Sequence, residues 1–462
     1  MQQRLSRATV LSIVATGLLS FMGTMVETSL NVTFATLTKQ MQVNLATIQW
    51  LTTGYLLLTT LVMVASAHLI KRYAVKNLFI IAVVCFTVGD LLCAVAPSFP
   101  IMLVGRLIQA VSTGLSIPLM FHIILTSVPP QRLATYNGLA AMLIALGPAL
   151  GPTYGGLLTA VGSWRLIFWL LLPLIVIVFF IGLFNLTLQP IARQDRFDFW
   201  GFILLAVILF LVDYTFNRAA KVGFLSWNFW GLIVLSVILM VVFYLYNQHS
   251  SRHLIDFSIF KNAIVNWHLL GYFILQFINI GISFVLPQVA QYILGTNSFV
   301  AGMILLPGAL LGVIVAPLAG RWMDQNGTPL PIVVGHSVFL VAAAAFVIFE
   351  RQLTGALLIG LYFLLRLGFN LAFGNTISHA SVQVQPKQKA DINATFNMTQ
   401  QYAGSLGTNV FAAVIGIYQL QHISLRISTA QGALLDYWLI VALAIVGLFS
   451  AWLSYRSTMQ QK

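Results

Sequence analysis

Charge is what this chain has least of: 10 Asp and Glu stand among 462 residues, and charged residues of both signs make up 7%. Soluble proteins carry about 25% charged residues, because a water-facing surface needs them. A cytosolic enzyme is therefore excluded. Cysteine is nearly absent, and the two present, Cys85 and Cys93, share one apolar run that offers no disulfide framework. A cleavable signal peptide is not expected, since the first apolar run continues well beyond the length of an h-region.

What the chain does have is apolar sequence, 59% hydrophobic residues in all. A bilayer core takes about 20 residues per helical span. Apolar stretches lie near 8–34, 46–66, 78–96, 100–124, 134–160, 164–188, 198–216, 227–247, 265–294, 298–320, 330–349, 353–377, 393–420 and 434–455, which makes fourteen. A β-barrel strand would alternate over about ten residues; these runs are apolar on all faces, so they predict helices. The longest loops, 188–198 and 247–264, bracket one helix pair. They divide the chain into a six-span half (1–190), an extra pair (191–250) and a second six-span half (251–462). No soluble ATPase module or receptor domain is expected in this layout, so any energy for transport comes from a gradient.

Basic residues set the expected orientation. With the N-terminus inside, fifteen Lys and Arg (Arg72, Lys76, Arg132 and Arg321 among them) fall on the cytoplasmic side. Six fall outside: Lys39, Arg165, Arg218, Lys221, Arg351 and Arg426. The net charge of +13 is thus a topology signal rather than a sign of nucleic-acid binding. Both termini are placed in the cytoplasm of a multi-pass inner or plasma membrane protein, whose partners are the lipid bilayer, small amphiphiles and protons.

A charge at the bilayer centre costs roughly 2.5–3.5 kcal/mol on insertion scales, so the few charges inside spans are informative. Glu27 lies in span 1, Arg106 in span 4 and Arg366 in span 12, with Asp90 and Asp213 towards the outer ends of spans 3 and 7. For Asp90 and Asp213 the simpler reading is an interfacial residue reaching headgroups. For Glu27 and Arg106 a structural ion pair competes with a carboxylate that faces a cavity and titrates. Span 5 adds a glycine pattern, NGLAAMLIALGPALGPTYGG, with Gly138, Gly147, Gly151, Pro152, Gly155 and Gly156 in one helix. Glycines four apart share a face and let a neighbouring backbone approach.

That spacing, G(x)8G(x)3GP(x)2GG, resembles the antiporter motif of drug:proton antiporters in the major facilitator superfamily. Arg106 and Gln109 match the family's span 4 signature, in which Ala110 replaces the usual Gly. Fourteen spans with a central extra pair are similar to the EmrB/QacA-type branch, as are the phrases SWRLIFWLLLP, DRFDFWG and LIDFSIFKN. The resemblance implies an all-α major facilitator fold and alternating access by two halves around a midplane site. It implies a proton-coupled exporter of amphiphilic small molecules, not an enzyme, with no cofactor beyond the proton gradient. Burial favours a neutral carboxylate and a nearby Arg an ionised one. Glu27 is therefore expected to exchange the proton, with Arg106 setting or relaying it.

Two departures from the family pattern stand out. The loop between spans 2 and 3, AHLIKRYAVK, keeps Leu69, Arg72 and Lys76 but has Lys71 where an Asp is usual. Its counterpart between spans 10 and 11, GRWMDQNG, keeps Gly320, Asp324 and Gly327, so the second half holds the more complete cytoplasmic gate. Glu27 also stands four residues before Asn31-Val32 rather than five, a shift of about 100° around a straight helix.

Candidates for a substrate cavity are Asn31, Gln109, Gln276, Asn279, Arg366, Asn370, Asn397, Gln400 and Gln401; interhelical hydrogen bonding is the alternative for each amide. Arg366 either pairs with backbone or holds an anionic group. Since span 10 has no carboxylate, neutral or monocationic amphiphiles are favoured over dications. A carrier for a dedicated lipid, glycolipid or metabolite would share the same motifs. A membrane metalloenzyme is the remaining class, on the His249/His253 HxxxH spacing; a solvated linker explains that pair better, the other histidines are scattered singly, and no metal site is expected.

Overall fold

The computed structural model describes residues 6–129, 132–186, 197–250, 257–326, 328–385, 388–420 and 424–460. Gly327, His253 and much of the two longest loops lie outside these residues. Among the described residues the regular structure is helical, as a lipid environment requires: with no water at hand, each backbone N–H and C=O must be paired within its own segment. Thirteen helices among the described residues are long and apolar enough to cross a membrane. A fourteenth, Lys389–Gln419, has the length at 31 residues but a more polar composition, and it occupies the position of span 13.

The spans run Arg7–Met41 (1), Leu45–Arg72 (2), Val75–Val95 (3), Phe99–Ser127 (4), Gly138–Val161 (5) and Leu166–Asn185 (6). Phe199–Val222 (7) and Trp227–His249 (8) form the extra pair. The second half is Ala263–Ile293 (9), Ser298–Gln325 (10), Leu330–Ile348 (11), Gly355–Val382 (12), Lys389–Gln419 (13) and Leu425–Gln460 (14). Polar caps mark several starts: Ser6 accepts from Thr9 N, Asp198 from Gly201 N and Thr354 from Leu357 N.

Helix pairing repeats between the halves with an offset of eight spans. Span 1 packs on 4, 5 and 6, as 9 packs on 12, 13 and 14; span 3 packs on 4 and 6, as 11 packs on 12 and 14. The halves meet along two seams, span 5 against span 10 and span 2 against span 13. Span 7 lies against span 13 and span 2, and span 8 against span 7.

Span 1 shows how this packing is written in the sequence. Ser12, Thr16, Ser20, Thr24 and Thr28 recur every four residues, and each hydroxyl donates to the carbonyl four residues back, at 2.8 to 3.4 Å. Their polar atoms are thereby satisfied within the helix, leaving a narrow stripe. The glycines of span 5 fit against it: Gly147 meets Thr24, Gly151 meets Thr28, and Gly155 lies on the Ser29 carbonyl. One residue further, Gly156 lies on the backbone of Ser298 in span 10, so the stripe is also where the halves touch.

The halves are closed at the Asn31 end of the bundle. Gln288 donates to the Asn31 carbonyl at 3.3 Å and Gln291 to that of Val32 at 3.0 Å, while the rings of Phe34 and Phe284 pack at 6.0 Å, tilted by 58°. At the opposite end Arg72, Arg321 and Asp324 are exposed, and a Cβ added to Gly138 would meet no atom within 4 Å. The hydrogen bonds that join described residues of the two halves lie at the closed, Asn31 end and in the middle of the bundle, and none lies at the Arg72 end.

Candidate functional site

In the first half the buried charges gather where spans 1, 2, 3 and 4 meet. Arg106 is fully buried, with its guanidinium carbon 4.0 Å from the ring centre of Tyr55 on span 2. Its Nε donates to the Leu51 carbonyl at 3.3 Å and its Nη1 to Gln109 Oε1 at 2.8 Å. Gln109 Nε2 in turn donates to Asp90 Oδ1 at 2.8 Å. One amide thus joins the guanidinium to a carboxyl group that it does not touch. Tyr55 completes the cluster by donating to the Gly23 carbonyl at 3.0 Å, with Thr113 Oγ1 at 2.5 Å.

Glu27 lies on the same side of span 1, one turn from Gly23, and is 3% exposed. Its Oε2 has no hydrogen-bond partner, and neither has Arg106 Nη2. The two residues interact electrostatically without an ion pair. The interhelical lock is therefore made by Asp90, Gln109 and Arg106, and Glu27 is left out of it. The helix is regular through Ser29 and turns 3₁₀ at Asn31–Thr33, so the irregularity in span 1 falls between Glu27 and Val32.

Replacing Gln109 by Ala strips Arg106 Nη1 and Asp90 Oδ1 together. Hydrogen bonds to charged groups are worth about 1.5–3 kcal/mol each, so Gln109→Ala should destabilise the fold by about 3 kcal/mol or more. Thermal unfolding in detergent would show this as a lowered melting temperature; an unchanged one would mean that the amide relay carries no stability.

The second half presents a different set. Arg366 donates through Nη1 to Asn279 Oδ1 and lies over Phe369 at 4.7 Å. Asn279 donates to Gln276 Oε1 at 3.2 Å, and Asn370 to the Arg366 carbonyl at 2.7 Å. Arg366 Nε has no partner. Ile280, next to Asn279, packs with Tyr55, Leu56 and Ala110, so an apolar side chain of span 9 reaches the Arg106 cluster. Gln400 is tied to span 9 by Tyr272 at 3.0 Å, Gln401 is buried with Nε2 unpartnered, and Asn397 is half-buried one turn before it. Asn31 accepts from Thr52 at 3.1 Å and belongs to the seal at the closed end. Arg72, Lys76, Gly320 and Asp324 lie at the open end, apart from both clusters.

Two expectations are corrected by burial. Asp90 and Asp213 do not reach headgroups; both are 0% exposed. Span 7 runs on to Val222 rather than ending near 216, which places Asp213 over two turns inside. The same extension of span 14 back to Leu425 buries Asp436, whose two oxygens lack partners; the sequence reading passed over it. The histidines are not all solitary either. His268 Nε2 lies 2.7 Å from His379 Nδ1 and 2.8 Å from Ser454 Oγ, joining spans 9, 12 and 14. Tyr55 carried no sequence signal beyond being aromatic. No group of three or more His, Cys, Asp or Glu fit to hold a metal ion occurs among the described residues.

The sequence matches the Major Facilitator Superfamily profile over residues 16–408. This chain belongs to that superfamily. It is a multi-pass membrane transporter, not an enzyme. It is 29% identical over 412 residues to the lincomycin resistance protein LmrB of Listeria monocytogenes, covering 89% of this chain and 87% of the relative. LmrB of Bacillus subtilis is 28% identical over 451 residues, covering 95% and 94%. A multidrug resistance protein B homologue of Mycobacterium tuberculosis is 27% identical over 400 residues, covering 84% and 72%. In fold the chain is similar to a bacterial homologue of the human lysosomal transporter Spinster, with a TM-score of 0.72, 14% identity and 99% of each chain covered.

Proposed function

We propose that this superfamily member exports amphiphilic small molecules in exchange for protons. The Arg72 end is assigned to the cytoplasm because the basic residues concentrate there, which makes the conformation inward-open. Relatives named for drug resistance, at 25–29% identity, support export of drug-like molecules, and lincomycin is the natural first probe. Neutral and monocationic amphiphiles remain the favoured class.

The observation that carries the coupling is the state of Glu27: a buried carboxylate at membrane depth with one oxygen unpaired, near Arg106 but not bonded to it. A carboxylate held in a salt bridge or a full hydrogen-bond set would be fixed in charge. One left open can gain and lose a proton as its surroundings change between the two access states. Protonation removes the attraction to Arg106, and substrate in the same region competes with the proton. Arg106 supplies the positive field that returns Glu27 to the anion, and the Gln109–Asp90 relay holds that guanidinium in place. Spans 5 and 10 and spans 2 and 13 are the surfaces across which the halves rock.

The test is dye movement in everted vesicles with an imposed proton gradient. Gradient-dependent accumulation that collapses on adding an uncoupler is expected, and competition by lincomycin places that drug among the substrates. Accumulation indifferent to the uncoupler would overturn proton coupling.

A further inference from the structure

The accessory hairpin plays no part in a two-half mechanism, yet it is bonded to both halves. Span 7 covers the seam where span 2 meets span 13. The Asp213 side chain accepts from Ser405 Oγ at 2.9 Å through Oδ2, and the Asp213 carbonyl accepts from Asn409 Nδ2; both donors lie on span 13. One turn on, Asn217 Nδ2 donates to the Ala46 carbonyl at the start of span 2, at 2.6 Å. Just beyond these two ties Ala46, Ala220 and Ala413 close into one small-residue contact. The Ser405 hydroxyl has a single hydrogen and two acceptors in reach, Asp213 Oδ2 and the Thr53 carbonyl of span 2 at 3.1 Å. It therefore has two discrete ways to be bonded, one to span 7 and one across the seam to span 2.

This arrangement lies at the closed, Asn31 end. For that end to open, span 13 must move relative to span 2, and a helix fastened to both within four residues cannot follow both. Either the Asp213 tie or the Asn217 tie must break. Span 8 contributes little to the seam: Val234, Val237, Ile238 and Val241 are exposed apolar residues that face outward, so the hairpin acts through span 7.

We propose that Asp213 and Asn217 form a clasp through which the accessory hairpin holds spans 2 and 13 together, setting the balance between the two access states. They are positioning residues, since neither belongs to the Glu27 or Arg366 clusters. The proposal rests on the alternating-access reading.

Spin-label distance measurements on the full-length protein test it, in a Cys85→Ser, Cys93→Ser background. One label pair at Lys39 and Gln352 reads the Asn31 end, and a second at Asn77 and Gln325 reads the other end; all four side chains are exposed. Asp213→Ala and Asn217→Ala should each raise the open-to-closed ratio at the Asn31 end about tenfold, the effect of losing one buried hydrogen bond, with the opposite shift at the other end. Asp213→Asn keeps an acceptor for Ser405 and should restore the parent distribution. Asn217 is half-buried and its replacement removes one bond, so that variant serves should Asp213→Ala not fold. A lowered melting temperature with parent-like distances would reduce the ties to structural contacts and overturn the proposal. If the parent switches with substrate and pH while the variants match it throughout, the clasp alone falls. If the parent shows one distance at each end under every condition, the alternating-access reading falls with it.

Discussion

Glu27→Gln should abolish gradient-driven export, lowering it about a hundredfold or more, while the protein folds normally and still equilibrates substrate down its own gradient. The two side chains have the same shape, and the carboxylate has no hydrogen bond through Oε2 for the amide to lose. What disappears is the exchangeable proton and the negative charge near Arg106. Downhill exchange in the variant should lose its response to pH on either side of the membrane. Counterflow of a labelled substrate in proteoliposomes measures exchange, and an imposed pH gradient measures drive. Full gradient-driven accumulation by the Gln variant would remove Glu27 from the coupling mechanism. Arg106→Lys separates charge from shape: a lysine keeps the field but loses the paired bonds to Leu51 and Gln109. Export should then survive in part with an altered pH response.

The second large effect is expected at Gly156. A Cβ there meets the Ser298 carbonyl and the Phe299 backbone, so the conflict is between main chains and no rotamer relieves it. Overpacking of this kind costs about 1–3 kcal/mol, and a valine falls at the upper end. Gly156→Val should therefore shift the balance roughly a hundredfold away from the state closed at the Asn31 end, at about 1.4 kcal/mol per decade. Labelling of a cysteine at Val32, which is buried in the seal in this conformation, by an impermeant maleimide in the same cysteine-free background reports the opening as faster modification. Gly155→Val presses on Ser29 within the same half and should lower folded yield instead. Gly138→Ala has no such neighbour in this conformation, so any effect it has on transport belongs to the opposite access state.

The fold was legible because a helix in lipid must be apolar over its whole length, and most spans are. Span 13 shows where that signal thins: Gln400, Ser405 and Asn409 bond to neighbouring helices, so its composition is more polar than the others while its length is not shorter. Arg106 and Gln109 were legible as a pair three residues apart on one helix face. Their third member was not, since Asp90 is joined to Gln109 from another helix, and position along span 3 alone pointed to an interface. Asp213 was misplaced for a simpler reason: the helix continues through Asn217, Arg218 and Lys221, where polar residues mimic a loop. The His268–His379 contact links residues 111 apart, a distance no local pattern spans.

Under the proposed coupling, proton movement and substrate movement are one event. The most direct measurement is proton release from purified, detergent-solubilised protein in weakly buffered solution on adding substrate, followed with a pH indicator. Competition at Glu27 predicts that a compound found to be transported in the vesicle assay releases protons from the parent and none from Glu27→Gln, with binding retained in both. Equal release from both proteins, or binding to the parent with no release, would contradict the account.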